Sequence, residues 1–210
     1  MAGLRAPKAG SARDAQIRID ASFDPVEGRK CLEWIRELTG ENFVTDAGPE
    51  KYRVMDNFWK VLRDGFLLCK VLNVVVPDNL KCNFNAPTFR PTANPQFQAA
   101  RERERIELYN RKLEEFGVAP DNCFLVDCLY ERTNLWQVAA SIRALGTEFE
   151  SRPSFTGMRW WPRKAEANPR NFSEEVLNAG NTIINLQYGS NKGASAKGMN
   201  FGKKRMIMKE

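Results

Sequence analysis

Apolar residues return along this chain at three- and four-residue steps, the period of helices that each bury one face. Cys31, Leu32, Trp34, Ile35 and Leu38 form the first such set. Asp24-Pro25-Val26-Glu27 precedes it. Asp24 can cap, Pro25 carries the backbone angle of a first turn, and Glu27 can complete a capping box. Gly40 closes the helix, and a loop is expected over 41–51. Phe58, Trp59, Val61 and Leu62 then lead to Asp64-Gly65, a turn whose aspartate caps the next helix. Phe66, Leu68, Cys69, Val71, Leu72, Val75 and Val76 cover too wide an arc for a solvent-facing helix. They predict a buried central helix, stopped by Pro77-Asp78-Asn79.

Pro87 and Pro91 interrupt the stretch 81–94, which is expected to be an irregular loop burying Phe84 and Phe89. A long helix over about 95–116 turns Phe97, Ile106, Tyr109, Leu113 and Phe116 inward and ends at Gly117. Its alternating run Arg101-Glu102-Arg103-Glu104-Arg105 reads as a solvated face. A short helix introduced by Asp121 carries Phe124, Leu125, Val126, Leu129 and Tyr130; a final one carries Leu135, Val138, Ile142, Leu145 and Phe149. No strand-like alternation competes, so the fold class is all-α. Residues 1 to about 19 are small, polar and basic without usable periodicity, and residues 1–23 are expected to be a mobile arm.

Beyond Glu150 the texture changes. Pro153, Pro162 and Pro169 punctuate a linker, 151–183, containing Arg159-Trp160-Trp161-Pro162-Arg163 and a short helix from 173 to about 184. Tryptophan beside arginine is the chemistry of partner hot spots; packing of the two rings back onto the domain is the favoured reading. The final 22 residues are rich in Gly, Lys, Ser and Asn and too poor in apolar residues to build a core.

Charge sharpens this division. Ten Lys/Arg and four Asp/Glu lie in 157–210, out of 32 and 26 in the 210-residue chain. That leaves 22 of each sign in residues 1–156, so the whole net charge of +6 belongs to the C-terminal segment. A neutral body with a cationic tail points to an acidic partner. Lys192, Lys197, Lys203, Lys204 and Arg205 can form a cationic strip, with Leu186, Tyr188, Met199 and Phe201 as apolar anchors. Gly189, Gly193, Gly198 and Gly202 let the backbone lie close to a surface.

Candidate chemistry is narrow. The chain has no histidine, which removes Ser-His-Asp triads, Cys-His pairs and H-E-x-x-H zinc sites. Its five cysteines are odd in number, and none forms a C-x-x-C pair, which fits a reduced compartment without disulfides. No apolar run approaches the ~20 residues of a membrane span, and no signal sequence is recognisable. Gly198-Met199-Asn200-Phe201-Gly202-Lys203-Lys204 fails as a phosphate loop, being one residue short and lacking the Ser/Thr. The expectation is a cytoplasmic protein, not an enzyme, with no cofactor, no metal, no specific nucleic acid and no membrane insertion.

Leu62-Arg63-Asp64-Gly65 with Leu68-Cys69, Leu72-Asn73 and Pro77 resembles the central helix of calponin-homology domains. Phe116-Gly117-Val118, Phe124-Leu125-Val126-Asp127-Cys128-Leu129-Tyr130-Glu131, Asn134 and Ala144-Leu145-Gly146 resemble the later helices of that domain, over about 24–150. Asp24-Pro25, Trp34-Ile35 and Leu38-Thr39-Gly40 are similar to its calponin and transgelin subgroup. A second resemblance lies in Ala179-Gly180, Ile184, Leu186-Gln187-Tyr188-Gly189-Ser190-Asn191-Lys192-Gly193-Ala194-Ser195, Gly198-Met199 and Gly202, which look like one calponin-like repeat over 184–208. One domain followed by one repeat resembles transgelins and muscle-protein-20-like relatives. Asn200 stands where vertebrate relatives usually have threonine.

This resemblance implies a calponin-homology helical bundle and a non-catalytic, actin-filament-binding cytoskeletal or muscle protein. The repeat would be the main filament contact, through Leu186, Tyr188, Lys192, Lys197, Met199, Phe201, Lys203, Lys204 and Arg205. Other cytoskeletal or signalling proteins are further candidate partners, and the alternative is a signalling adaptor whose helical domain binds a non-actin protein. Ser195 aligns with a serine phosphorylated in some relatives.

Overall fold

Helix ends in this chain are set by a few polar and glycine residues, and the apolar stripes between them decide what packs on what. The computed structural model describes residues 8–165 and 168–177. Among them the α-helices are α1 (Gly10–Ala21), α2 (Pro25–Thr39), α3 (Lys51–Leu62), α4 (Phe66–Val75), α5 (Pro95–Phe116), α6 (Val126–Tyr130) and α7 (Leu135–Glu150). No strand occurs among the described residues, and the fold is all-α.

Asp24 accepts the Val26 N–H at 2.8 Å, Pro25 opens α2 and Gly40 closes it. Glu27 does not complete a capping box. Its Oε1 meets Arg143 Nη1 at 3.0 Å instead, tying α2 to α7. The loop between α2 and α3 is held by Arg29, which pairs with Asp46 at 3.0 Å and donates to the Gly48 carbonyl at 2.6 Å.

α4 is the buried axis. Leu68, Cys69, Val71 and Leu72 have no solvent exposure, and α2, α3 and α5 pack around them. Each aliphatic side chain so buried contributes about 1.5–3 kcal/mol. The entry to α4 depends on Gly65, at φ +70°. A Cβ there would lie 3.0 Å from Arg105 Cβ and 3.1 Å from the Ile106 nitrogen, so α5 approaches because position 65 has no side chain. Gly65→Ala is expected to cost about 2–3 kcal/mol, from a left-handed backbone penalty of about 1–2 kcal/mol and displacement of α5. Urea unfolding reads this as a lower midpoint with an unchanged slope.

The charged run on α5 departs from the expected solvated face. Arg105 is buried; its Nε donates to the Asp64 carbonyl at 2.6 Å and its Nη1 to the Thr88 carbonyl at 3.0 Å. Arg103 lies 4.5 Å over the Tyr130 ring and pairs with Glu131 at 2.8 Å, and Arg101 donates to the Arg90 carbonyl at 2.7 Å. The loop between α4 and α5 turns carbonyls inward, and a forked guanidinium satisfies two at once. In that loop Phe84 and Phe89 stack at 4.7 Å and both meet Phe66, leaving them partly buried.

Three further departures have local causes. Phe97, expected on the inner face, is 61% exposed, because the buried positions of α5 begin only at Arg105 and the first turns overhang the bundle. α6 starts at Val126, after Asn110 has captured the Phe124 carbonyl at 2.7 Å; Leu125 is exposed and Asp121 sits in a separate 3-10 turn, Pro120–Asn122. Residues 10–21, expected within an irregular arm, form α1. It carries no buried stripe, so periodicity had nothing to detect. Polar contacts hold it: Gln16 Nε2 donates to the Thr133 carbonyl at 2.9 Å and Lys51 Nζ to the Ala21 carbonyl at 2.7 Å. Phe23, at the end of the same expected arm, is a core residue, set edge-on to Phe58 with ring centroids 5.5 Å apart.

Candidate functional site

All ten residues singled out in the tail, Leu186, Tyr188, Lys192, Ser195, Lys197, Met199, Phe201, Lys203, Lys204 and Arg205, lie outside the described residues. So does most of the helix expected over 173–184; its described part is a helical turn at 174–177, where the Leu177 N–H reaches the Ser173 carbonyl at 3.0 Å. What is described is the strap that leads toward the tail. The chain divides into two compact units, Met1–Lys164 and Ala165–Glu210. The strap, residues 151–164, therefore belongs to the helical body.

Glu150, the last residue of α7, is the anchor. Its carboxylate is 2% exposed and accepts the Trp160 N–H at 3.0 and 3.1 Å and the Trp161 N–H at 2.8 Å. A carboxylate at a helix C-terminus opposes the helix dipole; charge-assisted bonds from these backbone donors offset that cost. The Trp161 ring then seats against α7 at Gly146, where an added Cβ would lie 2.1 Å from ring atom Cδ1. Trp34 of α2 meets it edge-on, with centroids 5.8 Å apart at 82°, and the Lys30 ammonium sits 4.7 Å over its face. Lys164 closes the strap, pairing with Glu148 at 2.7 Å while its N–H reaches Ser151 Oγ at 3.0 Å.

The expectation that the tryptophans pack onto the domain agrees with this arrangement: Trp161 is buried and Trp160 half-buried. Glu150 and Gly146 escaped the sequence reading. The available signal was a glycine in mid-helix, which ordinarily marks a close approach. A cavity of about 110 Å³ beside Trp34, Phe149, Phe155 and Trp160 is well below the ~300 Å³ of small-molecule clefts, so it is a packing gap. Among the described residues no group of three or more His, Cys, Asp or Glu is arranged to hold a metal ion, and no helix is long and apolar enough to cross a membrane.

The calponin homology (CH) domain family matches residues 25–151, and the calponin family repeat matches residues 184–207. The chain belongs to the calponin family. Myophilin of Echinococcus granulosus is 30% identical over 202 residues, covering 96% of this chain and 97% of that protein. A CH domain followed by a calponin repeat marks an actin-binding, cytoskeletal family, whose members are generally non-catalytic structural proteins. In this calponin-family chain the strap runs from the end of the CH match at 151 to Lys164, and α1 precedes the CH match. Both are packed onto the domain from outside the segment that defines the family.

Proposed function

We propose that this protein is a non-catalytic actin-filament-binding component of the cytoplasmic cytoskeleton or of muscle, and that its calponin repeat is the main filament contact. The observation that carries the reading is the segregation of charge onto the repeat end of a chain in this family: a net +6 lies beyond residue 156, beside a body with as many acids as bases. A filament is an acidic, repeating surface, and exposed lysines confer steering and salt sensitivity on association with it. Lys192, Lys197, Lys203, Lys204 and Arg205 supply that attraction; Leu186, Tyr188, Met199 and Phe201 supply apolar contact. One short repeat has little area per chain, so affinity is of micromolar order or weaker. The linker spans 151–183 and the repeat 184–208; the strap holds the first part of that linker on the domain.

Co-sedimentation with actin filaments tests this. The full chain pellets with filaments in a salt-sensitive manner, and deletion of 189–210 sharply reduces pelleting. Unchanged pelleting of the truncated chain would remove the repeat as the main contact. A stoichiometric non-actin partner retained by residues 24–150 would favour an adaptor instead.

A further inference from the structure

Two of the five cysteines meet inside the bundle. Cys69 lies on α4 with no solvent exposure, and Cys82 lies on the following loop with 6%. Asn73, one turn beyond Cys69, brings the loop there: its Oδ1 accepts the Cys82 N–H at 2.6 Å and its Nδ2 donates to the Cys82 carbonyl at 2.9 Å. This two-point grip holds the Cys82 backbone against α4, and the two thiols share a hydrogen bond. Cys69 Sγ also lies 3.5 Å from the Arg105 carbonyl, and Arg111 and Lys112 of α5 supply positive potential at Cys82. We propose that Cys69 and Cys82 form a hydroperoxide-sensitive dithiol that closes to an intramolecular disulfide.

The chemistry is balanced by one peroxide. The Cys82 thiolate attacks one peroxide oxygen, the O–O bond breaks, and the departing hydroxide takes up the thiol proton as water. Cys82 is now a sulfenic acid. The Cys69 sulfur attacks the sulfenic sulfur; its proton and the sulfenic hydroxyl leave as a second water. Two thiols have lost two electrons and two hydrogens, and hydrogen peroxide has been reduced to two waters.

The surroundings choose Cys82 as the attacking sulfur. The bond from Cys69, followed by Lys112 and Arg111, holds its thiol below the ordinary range against the opposing effect of burial. Cys69 is pushed upward by the same bond and by burial, so it keeps its proton until the second step. Cys123 is more exposed, yet burial and then Glu114 push its thiol up to about 11. Exposure alone would have Cys123 react first; the geometry reverses the order.

The experiment uses the full chain in its native state with substoichiometric hydrogen peroxide, then unfolding, alkylation of remaining thiols and peptide mapping. The expected product is a Cys69–Cys82 cross-linked peptide pair, an intact mass lower by two hydrogens, and Cys123 still alkylated. In Cys69→Ser, Cys82 stops at the sulfenic acid and is trapped by a cyclic dione. Oxidation of Cys123 before Cys82, retention of both Cys69 and Cys82 as free thiols, or a disulfide between chains in place of the internal one would overturn the proposal. The order of reaction in the unsubstituted chain decides the matter even where Cys69→Ser folds poorly.

Discussion

Gly146→Ala lowers the unfolding free energy of this protein by about 2 kcal/mol, although alanine within a helix is ordinarily favoured over glycine by about 1 kcal/mol. The reason is the Trp161 ring. An alanine methyl at 146 would fall 2.1 Å from Cδ1 and 2.2 Å from Nε1, so the ring must leave its seat. Expelling it loses the burial of a tryptophan that is 5% exposed and its edge-on contact with Trp34. Truncating a buried tryptophan costs about 3–5 kcal/mol, and the lower end applies to a ring at the margin of the core. Trp161→Ala alone is therefore expected to cost about 3 kcal/mol.

The two substitutions are not additive. In a Trp161→Ala background the clash is gone, and Gly146→Ala becomes neutral or stabilising by up to about 1 kcal/mol. A change of sign between the two backgrounds, measured by urea or thermal unfolding, is the signature of the seated ring. Equal destabilisation in both would mean that position 146 matters for some other reason. Protease digestion supplies an independent readout, since Arg159 and Arg163 are exposed on the strap and its release speeds cleavage there.

The second large effect concerns filament affinity. Lys192→Gln, Lys197→Gln, Lys203→Gln, Lys204→Gln and Arg205→Gln together are expected to weaken co-sedimentation roughly fifty-fold at low salt, from about 0.5 kcal/mol for each of five exposed contacts. The loss shrinks as ionic strength rises, because the unsubstituted chain gives up the same attraction to screening. What persists in salt is the apolar share from Leu186, Tyr188, Met199 and Phe201. Ser195→Asp acts in the same direction with about a two- to threefold loss, by placing negative charge beside Lys192 and Lys197. Parent-like pelleting of the five-fold variant at low salt would show that the cationic strip is not what the filament contacts.

Much of this molecule is local physics. The Asp24 cap with Pro25 behind it, the all-apolar arc of α4 and the glycines after α2 and α5 each write a helix or its end within a few residues, and those ends coincide with the structure. The neutral body and the cationic tail are likewise a property of the sequence, independent of folding, and so is membership of the family that the CH domain and the repeat define.

Other features depend on partners distant in sequence. α1 exists without an apolar stripe because Thr133 and Lys51 hold it. Arg105 sits in a charged run that any local reading assigns to solvent, yet the carbonyls of Asp64 and Thr88 are waiting for it in the core. Glu150 is one more helix-terminal carboxylate until the strap folds back and donates to it, and Gly146 is a weak helix former until Trp161 needs the space. Periodicity records which residues seek burial. Which carbonyl, ring or thiol each one meets is settled only when segments tens of residues apart are packed together, as Cys69 and Cys82 are by Asn73.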